Sequence, residues 1–113
     1  MSRIVTSSKK EYLMADYRLY TTETRNTELD EKDLKYRLLD MESLGAVSHK
    51  IALIERLSDN SYIVANGLQF HEDKAIDWDH GHYFETGQLI SARNKYLHCI
   101  SEYVLNNYNW RKS

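Results

Sequence analysis

The chain has 113 residues, 42% apolar and 28% charged, which fits one globular domain over residues 1–113 and excludes a disordered or fibrous class. Fifteen Lys and Arg against 17 Asp and Glu leave a formal charge of −2, too little positive field for a nucleic-acid backbone and too little acid to imitate one. No apolar run nears the ~20 residues of a membrane span, Met1-Ser2-Arg3-Ile4-Val5 lacks a signal core, and the lone Cys99 suits a reducing compartment, so a soluble cytoplasmic protein is expected.

Proline is absent, and the four glycines, Gly45, Gly67, Gly81 and Gly87, serve as punctuation. Ser8-Lys9-Lys10-Glu11 has the form of a capping box and predicts a short helix over 9–20, with Leu13, Tyr17 and Tyr20 on one face. The strand-like composition of Tyr17 to Thr22 offers an extended segment as the alternative. Thr27 as N-cap, acids at 28, 30, 31 and 33 to complement the helix dipole, and Leu34, Leu38 and Met41 on one stripe predict a second helix to Leu44, closed by Gly45.

From His49 the period changes to two. Residues 49–57 and 61–65 read as strands joined by the turn Ser58-Asp59-Asn60-Ser61, with Asn66-Gly67 a bulge or an end and Leu68-Gln69-Phe70 a continuation. Residues 71–77 read as a polar connection. Trp78 to Phe84 reads as a third strand, with Trp78, His80, His82 and Phe84 on one face and Asp79, Gly81 and Tyr83 on the other. Thr86 is placed to cap a last helix from Gly87 to Asn107 or beyond, whose apolar face carries Leu89, Ala92, Tyr96, Cys99, Ile100, Tyr103 and Val104. The expected fold is α+β: a three-stranded antiparallel meander packed by the long C-terminal helix, with one or two N-terminal helices.

Chemistry concentrates at residues 77–84, where two histidines, two carboxylates, a glycine and three aromatics share eight positions. Histidines two apart on a strand point the same way, so His80 and His82 could hold a divalent ion with His71 and Asp77 or Asp79. Their shared face with Trp78 and Phe84 argues instead for partly buried, hydrogen-bonded imidazoles and no metal. No phosphate loop, dinucleotide fingerprint, nucleophile elbow or paired-cysteine motif is present, and no cofactor is expected. His49 and His98 read as solvated, and Cys99 as a small core filler. Nine Tyr and two Trp are many for so small a core, and Tyr108, Trp110 and Arg111, near the chain's end, are residue types that dominate binding hot spots.

Ser61-Tyr62-Ile63-Val64-Ala65, then Trp78-Asp79-His80-Gly81-His82-Tyr83-Phe84, then a helix with Ala92 and Tyr96, resembles small accessory proteins of bacteriophages and other mobile elements over the C-terminal half of the chain. The resemblance implies a phage or prophage setting and no catalytic residues. In that setting the expectation is a protein that is not an enzyme and that binds and inhibits a host protein in the host cytoplasm, an inhibitor of bacterial immunity of the anti-CRISPR kind being one form. The partner-binding residues would be Trp78, His80, His82, Tyr83, Tyr108, Trp110 and Arg111. A homodimer would use the same aromatics. The alternatives are a small metal-dependent hydrolase or nuclease built on His80 and His82, and a nucleic-acid-binding regulator.

Overall fold

Ile51-Ala52-Leu53-Ile54 sets the architecture. Four consecutive apolar residues, each no more than 1% exposed, require a strand covered on both faces. The computed structural model describes Leu13, residues 15–19 and residues 35–112, with side chains as far as residue 107. In it the run lies in β3 (His49–Arg56), with β2 (Lys35–Leu44) and β4 (Ser61–Asn66) antiparallel on either side. The remaining strands are β1 (Asp16–Leu19), β5 (Gln69–Phe70), β6 (Ala75–Asp77) and β7 (His80–Phe84), and one helix, α1 (Leu89–Lys112), follows. The strands form a mixed sheet in the order β5-β6-β1-β2-β3-β4-β7.

This is an α+β architecture. The segments expected as three strands become β3, β4 and β7, but a three-stranded meander is not what forms, because the chain between β4 and β7 departs to build a hairpin of its own. Residues 71–77 are not a plain connection. They contain the turn of that β5–β6 hairpin and β6 itself, which pairs parallel with β1 through Arg18↔Ala75 and Leu19↔Ile76. Asp73 organises the turn by accepting from the Ala75 amide (3.3 Å) and from Arg18 Nη2 (3.2 Å).

Leu13, within the first helix expected, is helical, but strands take the place of both expected N-terminal helices at residues 16–19 and 35–44. Residues 16–19 of the helix expected over 9–20 are β1, paired on both sides. Residues 35–44 of the second are β2, while its cap at Thr27 and its acidic first turns lie outside the described residues, as does the capping box at 8–11. Within β2 the register shifts between Leu38 and Asp40, so Leu39 is an extra residue, and Tyr36, Leu38 and Met41 all reach the same face. The bulge imitates helical spacing. Gly45 has the expected positive φ, +73°, yet it opens the β2–β3 turn, where Ser48 N–H bonds its carbonyl (3.2 Å).

Only residues 78 and 79 separate β6 from β7, although these strands stand near opposite ends of the sheet order. Three residue steps span at most ~11 Å, so the sheet must curl until its ends meet. The curl encloses one core of Tyr17, Tyr36, Leu38, Met41, Ala52, Ile54, Ile63, Ala65, Leu68 and Ile76. A second core lies on the outer face, where Ala92, Tyr96 and Cys99 of α1 cover Ile51, Leu53 and Val64. Cys99 is the core filler expected. α1 begins at Leu89, and Thr86 does not cap it: its hydroxyl donates to the Asp59 carbonyl, while Gln88 reaches back to the Glu85 amide (3.1 Å). Among the described residues no helix is long and apolar enough to cross a membrane.

Candidate functional site

At one end of the curled sheet β1 and β3 end, β2 and β4 begin, and β7 runs out. A cleft of about 710 Å³ opens there, lined by Leu19, Tyr36, Ile63, Trp78 and Tyr83 on its apolar side and by Arg56, Asp59, Ser61, Glu85 and Thr86 on its rim. That volume lies within the range of binding pockets. Residues 20–34, which join β1 to β2, lie outside the described residues.

The aromatic wall follows from three local features. Asp79 N–H bonds the Asn66 carbonyl (3.0 Å), which bends the chain ahead of β7 and breaks the alternation expected from Trp78 onward. Trp78 therefore belongs to the enclosed core, meeting Tyr36 edge-on (5.8 Å, 76°), and shares a face with Tyr83 rather than with the histidines. Gly81 stands between them. A Cβ there would come within 2.9 Å of Tyr83 Oη and 3.0 Å of Trp78 Nε1, so only glycine leaves room for the indole to donate to the Tyr83 hydroxyl (3.3 Å) across the strand. Tyr83 is thereby held while 68% exposed.

The rim is braced from the β3–β4 turn. Asp59 accepts from Arg56 Nε (3.1 Å), from Ser61 Oγ (2.7 Å) and from the Ser61 amide (3.0 Å), and these bonds, Arg56 first, hold its carboxyl well below the usual carboxylate range. The Thr86 bond to the Asp59 carbonyl fastens the start of the helical segment to the same turn. Among the described residues the lining includes no histidine or cysteine, and Asp59 is committed to Arg56 and Ser61. The cleft thus sets an aromatic wall against a hydrogen-bonded polar rim.

His80 and His82 lie on the opposite face of β7, against α1, in a smaller cavity of about 380 Å³ shared with Asn66, Lys95, Cys99 and Glu102. Their rings meet edge-on at 4.8 Å. Burial first, then Lys95 and His80, lower the His82 pKa, and Glu102 opposes them. The ligands expected to complete a metal sphere are not gathered here: His71 Nε2 stands 4.0 Å from Asp77 Oδ2 on the β5–β6 hairpin, and among the described residues no three His, Cys, Asp or Glu are grouped to hold an ion. His49 is not simply solvated but stacks on Tyr103 (4.7 Å, 2°), and His98 pairs with Glu102 (3.3 Å) on the surface.

The structure thus divides the expected partner-binding set, with Trp78 and Tyr83 in the cleft and His80 and His82 behind it. The backbone of Tyr108, Trp110 and Arg111 is helical, and their side chains lie outside the description. Tyr36 was missed because the helical reading of β2 absorbed it. The alternation of Tyr36 with Leu38 was the signal for it.

No protein-family model matches this chain, and neither curated proteins nor solved structures provide a significant match.

Proposed function

We propose that this protein acts without catalysis, binding a segment of another protein in the cleft walled by Tyr36, Trp78 and Tyr83. In the phage or mobile-element setting implied by its resemblance, the target is a host protein and the outcome is inhibition. The observation supporting this most directly is Tyr83, a large aromatic kept mostly in solvent by a hydrogen bond from Trp78 over a glycine. Rigid, amphipathic aromatics beside an arginine are the usual hot-spot chemistry, and ordering them costs little entropy on binding because they are already held.

The test is affinity capture from a bacterial lysate, identification of the retained protein, and measurement of the purified pair. Tyr83→Ala should weaken that pair by roughly 30-fold, the scale of a ~2 kcal/mol hot spot, while costing only about 1 kcal/mol of stability, the value of the hydrogen bond it receives from Trp78. A chain that retains no host protein, or a pair indifferent to Tyr83→Ala, would count against the cleft.

A further inference from the structure

The two outermost strands of the sheet differ as templates for a further strand. β5 offers two residues, Gln69 and Phe70, whereas β7 offers five, His80–Phe84. β7 pairs with β4 in an unbroken register along one edge, and among the described residues no strand pairs with its other edge. Alternate residues of an edge strand turn their amide and carbonyl away from the sheet, and proteins usually blunt such an edge with a lysine, a proline or a bulge. His80-Gly81-His82-Tyr83-Phe84 has none of these. The same strand supplies Tyr83 to the aromatic wall, so the open edge borders the cleft.

We infer that the segment bound at the cleft is an extended strand that adds to the open edge of β7, an inference that rests on the cleft being the binding site. The edge presents a row of main-chain donors and acceptors that an extended backbone matches, whereas a helix satisfies its own backbone bonds and would leave the edge as it was. The register of β7 then sets the side-chain pattern of the occupant. Gly81 and Tyr83 stand opposite Ala65 and Ile63 on the enclosed face, so occupant residues beside them meet the wall of Trp78 and Tyr83 and are apolar. Those beside His80 and His82 lie on the α1 side, near Lys95 and Glu102, and are polar. The partner segment is therefore about five residues long, spans ~17 Å, and alternates apolar with polar side chains. Main-chain bonds hold it, and the aromatic wall selects it.

Selection of short linear peptides from a displayed random library, with the purified protein as bait, tests the inference without any host protein. Enriched peptides should alternate apolar and polar residues. Methylating one peptide amide at a time should weaken binding roughly tenfold at every second position and little in between, because only alternate amides face β7. When the tightest peptide is bound, alternate amides within β7 should exchange with deuterium more slowly. No enrichment, a methylation profile without the two-residue period, or unchanged exchange in β7 would each overturn the added strand. So would β7 amides that slow with concentration in the free protein, since a second copy would then occupy the edge. Tyr83→Ala tells this failure from failure of the cleft. Peptides that lose affinity for that variant yet show no period remove the strand and leave the cleft standing; peptides that keep the period and are indifferent to it remove the cleft, and with it the alternating pattern.

Discussion

Gly81 separates the stability of the fold from the shape of the site. A methyl group at this position would strike the far ends of Tyr83 and Trp78, which can move, rather than backbone. Gly81→Ala removes one hydrogen bond, worth about 1 kcal/mol, and gains about as much from the reduced backbone freedom of alanine in a strand. Its stability by denaturant titration should therefore stay within ~1 kcal/mol of wild type, while affinity for the captured protein falls about tenfold or more because the tyrosine is no longer held. His82 sets a pH dependence of the opposite kind, in stability rather than binding. Burial disfavours its charged form, so the unfolded chain, with an imidazole of ordinary pKa 6.5, takes up a proton more readily than the folded one. Above pH 6.5 both states are neutral and nothing is lost; as pH falls below 6.5 the unfolded state is favoured until the folded imidazole also protonates. Melting temperatures between pH 7.5 and 5 should fall more steeply for wild type than for His82→Gln. Equal slopes would show that burial, aided by Lys95 and His80 and opposed by Glu102, does not disfavour the charged imidazole as its placement requires.

Legibility followed the period of each element. β3 and β4 could be read because contiguous or alternating apolar residues and a four-residue turn leave few alternatives, and α1 because Ala92, Tyr96, Cys99 and Tyr103 repeat at helical spacing over a long stretch. β2 could not, because the extra Leu39 converts a spacing of two into three between Leu38 and Met41, and a glycine with positive φ serves a β-turn as well as a helix end. β1 and β6 are short, and besides pairing with β2 and β5 they pair with each other across more than fifty residues, which no local propensity records. The site was legible in part. Trp78, Gly81 and Tyr83 drew notice by composition, but their grouping depends on the bend at Asp79, and Tyr36 joins them only through the sheet's curl. A two-residue period applied from Trp78 onward placed the indole with the wrong neighbours.

At the scale of the whole molecule, closure of the sheet is the step that local sequence supports least. The β3–β4 hairpin pairs residues near in sequence, as in Arg56↔Ser61, and can form early. The enclosed core is complete only when the β5–β6 hairpin reaches β1 and pairs Arg18 with Ala75, which closes a long loop for little local reward. The order of events should therefore be β3–β4 first and β6–β1 last. Ile54 and Ile76 test it, since both are fully buried in the same core, one on each of these units. Ile→Val at either costs about 0.5–1.5 kcal/mol, and the two variants should divide that cost differently. Ile54→Val should slow folding, because its contacts already exist in the transition state. Ile76→Val should leave folding nearly unchanged and speed unfolding, by roughly fivefold for ~1 kcal/mol. Stopped-flow rates across denaturant supply both numbers. Equal slowing of folding by the two variants would mean that the sheet closes as it nucleates, with the aromatic end of the curl assembled from the start rather than last.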